Sequence, residues 1–193
     1  MKRLFLMSIG IVFIMAPVAI QAQERSPLGN GNFAVKLDYI AFTDDYFSDL
    51  DRSDLYLGVE GYSKITPNVY LGGEIGSASN DMLFSGITYS YLPVELNLKY
   101  AIEATPNLVV DFGAGVSYVY FEIQHKTYWL KSAESDDWIL GGQFFADLTY
   151  KIHRWSIGVH ANYQITEDFE DPALGYDLDL SNWRLGVQMG IIF

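Results

Sequence analysis

The sequence contains no cysteine among its 193 residues, which excludes a disulfide framework, a thiolate metal site and a thiol nucleophile, and fits export. Positive charge is scarce: 12 Lys and Arg stand against 24 Asp and Glu, for a net charge of -12. That is the wrong sign for a phosphate-binding surface, and it excludes nucleic acid as a partner. Long apolar runs are missing after residue 22, where no stretch approaches the ~18 uncharged apolar residues of a membrane-spanning helix. If the chain enters a membrane, it does so as strands. What is abundant is apolar and aromatic: 50% hydrophobic and 16% aromatic residues against 19% charged, enough for one domain but hardly for two.

The first residues read as an address label. Lys2 and Arg3 precede an almost wholly apolar stretch over 4–18, and small Ala22 stands where a signal peptidase would cut before Gln23. The expected division is a signal peptide at 1–22 and a mature domain at 23–193. Removal of the leader takes two bases and no acids, leaving 171 residues and a net charge of -14.

From Phe33 onward the pattern has period two. In the last segment Trp183, Leu185, Val187, Met189, Ile191 and Phe193 alternate with Arg184, Gly186, Gln188 and Gly190. The same alternation recurs over 33–39, 55–60, 69–75, 92–100, 108–118, 138–151 and 155–164, which predicts eight strands. Pro93 cannot donate a ladder hydrogen bond, so a bulge or an irregular stretch is expected there. Tight turns join alternate strands at Thr66-Pro67-Asn68, Thr105-Pro106-Asn107 and His153-Arg154, whereas the connections over 43–53, 79–86, 123–137 and 166–181 are long. One trimmed rim and one looped rim are the mark of an exported transmembrane β-barrel.

The chemistry of the two faces points the same way. The apolar face ends in aromatics such as Tyr100, Tyr118, Tyr120, Tyr150, Trp155, Tyr163 and Trp183, rings suited to membrane interfaces. The opposite face carries ions at mid-strand: Lys36, Asp38, Glu60, Glu74, Glu95, Lys99, Asp111, Asp147, Lys151 and Arg184. A soluble ligand-binding barrel would turn its apolar face inward.

In these features the chain resembles the small eight-stranded outer-membrane barrels of the OmpA and OmpX kind, within the outer-membrane β-barrel domain family. The resemblance covers residues 33–193, and its most specific element is the last strand ending in Phe193, similar to the signal that the outer-membrane assembly machinery recognises. It implies an all-β, antiparallel up-and-down transmembrane barrel in the cell outer membrane, with lipid and that machinery as partners. No catalytic motif and no cofactor come with it.

Barrels of this size are just wide enough to be filled by side chains. Four bases and six acids enclosed there must pair or stay wet, because an unpaired charge in such a lumen costs several kcal/mol. A salt-bridged plug is the favoured reading, and a narrow gated path preferring cations is the alternative. The loops are acidic, with Asp44, Asp45, Asp49, Asp51 and Asp54 around the first and Glu167, Asp168, Glu170, Asp171, Asp177 and Asp179 in the fourth. They are read as solvated surface; the competing reading is bridging by calcium or magnesium, between loops or to anionic lipid headgroups. The surface ligand is not identified by the sequence. A lipid A-modifying enzyme is the least favoured class, since Asn162 and not Ser lies two residues after His160, which should face the lumen, and the first two loops contain no His.

Overall fold

The computed structural model describes residues 26–44, 53–82, 87–125, 133–171 and 176–193. The expected leader at 1–22 and loop carboxylates Asp45, Asp49 and Asp51 lie outside the described residues. Eight strands close into a barrel: β1 (Gly31–Phe42), β2 (Ser53–Thr66), β3 (Val69–Met82), β4 (Ile87–Thr105), β5 (Leu108–His125), β6 (Ala133–Ile152), β7 (Trp155–Thr166) and β10 (Asn182–Ile192). Two short strands, β8 (Asp168–Asp171) and β9 (Tyr176–Asp179), form a separate hairpin between β7 and β10. Every barrel neighbour is antiparallel, and β1 closes the ring by pairing with both β2 and β10. Closure leaves no unpaired edge, the condition for putting strands into hydrocarbon, where each unsatisfied backbone group costs several kcal/mol.

The distribution of side chains is inverted relative to a water-soluble protein. Leu37 is 48% exposed while its neighbours Lys36 and Asp38 are each 1% exposed; Leu185 is 56% exposed beside Arg184 at 0%. Such an outside is stable only against hydrocarbon. Two aromatic belts edge it. Tyr118 stacks on Trp138 at 4.7 Å and Tyr163 packs on Trp183 at 4.3 Å near the looped rim, while Tyr100 packs on Phe112 at 5.8 Å near the other. These are the interfacial girdles that the rings on the apolar face led one to expect.

The tight turns are the two-residue links Pro67-Asn68, Pro106-Asn107 and His153-Arg154, the last with His153 at φ 60°. The register shifts at the first two, between Lys64 and Thr66 and between Glu103 and Thr105. At Pro93 there is no bulge. The β3–β4 ladder is interrupted there between the pairs Ile75–Val94 and Ala78–Tyr91 and resumes in the same register, because a missing donor removes a bond without adding a residue.

Two expectations need correction. The second and third long connections are shorter than the period-two signal suggested: pairing runs to Met82 and His125 and resumes at Ile87 and Ala133. These extensions stand above the apolar belt, where pairs such as Glu122–Asp136 are polar on the outer face and apolar Phe121 and Ile123 point inward, so the alternation runs in the opposite phase. The fourth connection is not simply a loop but contains the β8–β9 hairpin. The inward face carries apolar residues as well as ions. Ile40, Phe42, Tyr89, Tyr91, Phe121 and Ile139 form a buried cluster at the looped mouth, joined by Phe169 and Leu178 of the hairpin and by Leu180, all three fully buried. A second cluster of Tyr62, Tyr70, Ala101, Val109 and Phe145 fills the opposite mouth. Leu28, from the segment before β1, plugs that cluster from below, with its N–H donating to the Tyr70 hydroxyl at 3.0 Å.

Candidate functional site

Between the two apolar clusters lies a belt of ions. Its design follows from the register. Glu60 stands opposite Glu74, Glu74 opposite Glu95, and Asp111 opposite Asp147. Like charges directly opposite one another destabilise a sheet, so each pair needs a base between its members. Lys36 Nζ reaches Glu60 Oε2 at 2.8 Å and Glu74 Oε2 at 2.7 Å. Arg184 donates to Glu74 Oε1 at 3.1 Å and to Glu95. Lys99 Nζ contacts Asp111 and Glu60 at 3.3 Å and Asp147 at 3.0 Å. The result is one connected chain, Glu95–Arg184–Glu74–Lys36–Glu60–Lys99–Asp147, with Asp111 attached at Lys99. Every member is at most 4% exposed.

His160 closes the belt. Its Nδ1 bonds Asp147 and its Nε2 lies 3.4 Å from Lys36 Nζ. The ammonium can only donate, so Nε2 accepts from Lys36 and Nδ1–H donates to the Asp147 carboxylate. Both ring nitrogens are engaged, and neither is free to activate a nucleophile. Aromatic faces complete the cage: Lys99 Nζ sits 4.1 Å from the Tyr62 centroid and the Arg184 guanidinium 4.6 Å from that of Tyr56. The Tyr56 hydroxyl donates to Glu74 at 2.8 Å, and Tyr56 fits only because Gly58 and Gly76 face it: a Cβ on Gly58 would come within 2.9 Å of its ring.

Of the ten ions read from the alternation, eight are thus brought into one network and two are not. Asp38 is buried, yet both of its oxygens lack a hydrogen-bond partner among the described residues. Lys151 belongs to the tight-turn rim, half-buried, where it pairs with Glu103 at 3.1 Å and donates to the Pro27 carbonyl at 3.2 Å. It stands near the end of β6, beyond the belt. Phe193 lies at the same rim: its carbonyl accepts from Asn30 at 2.6 Å and Gly31 at 3.1 Å, and its ring is 62% exposed. The tyrosines of the cage were missed. Their signal was parity, since Tyr56 and Tyr62 are four before and two after Glu60 and so share its face.

At the looped rim, acidic side chains hold backbone. Asp44 accepts from the Asp179 N–H at 3.0 Å and Asp179 from that of Ser181 at 2.8 Å. Among the described residues no three His, Asp or Glu side chains converge as a metal site.

No protein-family description matches the chain, and no curated protein matches it. Solved structures do. Neisserial surface protein A aligns with a TM-score of 0.65 at 8% identity, over 86% of this chain and 98% of that one. The fold is that of a small outer-membrane β-barrel. The N-terminal barrel domain of Pseudomonas aeruginosa OprF aligns with a TM-score of 0.55 at 15% identity, over 86% and 98%. The attachment invasion locus protein Ail of Yersinia pestis, solved with the heparin analogue sucrose octasulfate, aligns with a TM-score of 0.52 at 10% identity, over 83% and 97%. At these identities the likeness extends to architecture alone, and the belt of Lys36, Lys99 and Arg184 is argued from this chain.

Proposed function

We propose that the protein is an integral outer-membrane barrel whose lumen is closed, and which serves the cell surface as a structural and interaction element rather than as an enzyme or an open pore. The observation that carries this reading is the three-tier filling of the lumen: hairpin-capped apolar cluster, ion belt, and apolar base plugged by Leu28. Ions would have to displace all three tiers. The second reading, a narrow cation-preferring path, draws on the excess of carboxylates in the belt.

The surface partner is selected by sign. Asp44, Asp54, Glu122, Asp136, Glu167, Asp168, Asp177 and Asp179 mark the looped end, so cationic partners, or divalent cations bridging to anionic lipid headgroups, fit it and a sulfated polyanion of the kind bound by Ail does not. Exposed Phe193 on the closing strand fits recognition by the assembly machinery. Fractionation of cell envelopes with heat-modifiable gel migration tests the placement. A band in the outer-membrane fraction that shifts on boiling is expected; an unshifted band in the soluble fraction overturns it.

A further inference from the structure

Buried polar atoms without a hydrogen-bond partner occur on several strands of the lumen, and among the carboxylates there Asp38 is the one that no base pairs with among the described residues. On β1, β10 and β7, no hydrogen-bond partner among the described residues meets either oxygen of Asp38, Oδ1 or Nδ2 of Asn162, or Oε1 of Gln188. These residues are 1%, 1% and 6% exposed. They occupy adjoining register rows. Asp38 faces Gly186, which faces His160; Asn162 faces Arg184 one inward position toward the loops; Gln188 faces Gly158 one inward position toward the turns. The middle of this patch has no side chain, because Gly186 occupies it. A Cβ added there would fall on Asp38 Oδ1, so the carboxylate lies over the glycine, and Gln188, whose amide donates to Thr149 Oγ1 at 3.2 Å, keeps its Oε1 without a partner.

The surrounding bases are committed elsewhere. Lys36 spends its donors on Glu60, Glu74 and His160, and Lys99 on Glu60, Asp111 and Asp147. Arg184 serves Glu74 and Glu95, leaving only its Nε unpaired. His160 presents an acceptor nitrogen to Lys36 and donates its Nδ1–H to Asp147. Three bases therefore face six carboxylates in this part of the lumen, and the unmet charge is concentrated at Asp38. Four unpartnered acceptor oxygens and a local excess of negative charge suit a hard cation better than a donor-poor protein wall.

We propose that Asp38, with Asn162 Oδ1 and Gln188 Oε1, binds a small monovalent cation of the sodium class over Gly186, its remaining ligands being water. A single carboxylate supplies one negative charge, and the Arg184 guanidinium on the next row disfavours a divalent ion. The cation is a component of the folded lumen, acquired on folding, so the site needs no open pore and goes beyond the proposed surface role.

The test is refolding into lipid vesicles, with urea unfolding in sodium chloride and in N-methylglucamine chloride at equal ionic strength. At a sodium concentration ten times the dissociation constant the parent's folding equilibrium should be about tenfold more favourable than in the bulky cation. Asp38→Asn should lose that difference. Sodium-independent stability of the parent that falls as pH rises means a bound proton only and overturns the proposal. An undiminished sodium effect in Asp38→Asn places the ion elsewhere, such as the acidic loops, and overturns it too. If Asp38→Asn does not refold, Asn162→Ala carries the same readout, and sodium-23 line broadening on the refolded parent provides a second one; absence of broadening contradicts the site.

Discussion

Replacing Arg184 by Met removes the base that separates Glu74 from Glu95. The guanidinium is completely buried, donates to both carboxylates, and lies over Tyr56. Met fills much of the same volume, so the loss is mainly electrostatic. Breaking a buried pair by deleting one member costs about 3–5 kcal/mol, because the remaining charge is left in a medium that cannot solvate it. The two orphans are not equivalent. Glu74 keeps Lys36 at 2.7 Å and the Tyr56 hydroxyl at 2.8 Å, whereas Glu95 keeps only the Asn97 amide at 3.2 Å. Glu95→Gln should therefore rescue Arg184→Met better than Glu74→Gln does, with a coupling energy of about 1–3 kcal/mol. Asp111→Asn, which touches Lys99 and not Arg184, should add to Arg184→Met without rescue. Urea unfolding in lipid vesicles, followed by the heat-dependent gel shift, measures each arm of the cycle. Strict additivity for Glu95→Gln, or equal rescue by Asp111→Asn, would refute the assignment of partners.

Other outcomes follow from the same geometry. Val187→Arg, at mid-depth on the outer face, should cost about 2–4 kcal/mol in lipid, and Leu55→Arg near the looped rim far less; equal costs by unfolding titration would argue against a membrane belt. Phe169→Ala with Leu178→Ala should loosen the β8–β9 hairpin and raise its protease sensitivity while the heat shift of the barrel persists, since the hairpin is a separate two-stranded sheet. Loss of the heat shift would show that the cap is integral to folding. Cysteines introduced at Ser135 should react with an impermeant reagent on intact cells and those at Asn68 and Asn107 should not; the reverse pattern would invert the topology.

The barrel was legible because lipid enforces period two. The outer face must be apolar wherever it meets hydrocarbon, so every strand shows its membrane portion, from Phe33–Tyr39 to Trp183–Phe193, and the tight Pro-Asn turns show through turn chemistry. Strand pairing above the belt, as at Glu122–Asp136, was not legible, because there the outer face turns polar while apolar Phe121 and Ile123 point inward, which reverses the phase of the alternation. The hairpin was hidden for a different reason: Phe169, Leu178 and Leu180 are isolated apolar residues in an acidic segment, and only the fold brings them over Phe121. Within the lumen, parity identified which charges point inward. It could not pair them, since Arg184 and Glu95 are 89 residues apart and on non-adjacent strands. Nor could it separate Lys151 at the rim from Lys99 in the belt, as both alternate identically and differ only in depth.

The central claim is that three tiers of side chains close this lumen. Single-channel recording on residues 23–193 refolded into planar bilayers tests it most directly. The account predicts a silent bilayer for the parent across the usual range of voltages, and silence also for Phe169→Ala with Leu178→Ala, because the ion belt and the Leu28 base remain in place beneath the opened cap. Discrete, cation-selective steps in the parent, with an amplitude that changes in Lys99→Met or Arg184→Met, would contradict it and establish the lumen as a pore.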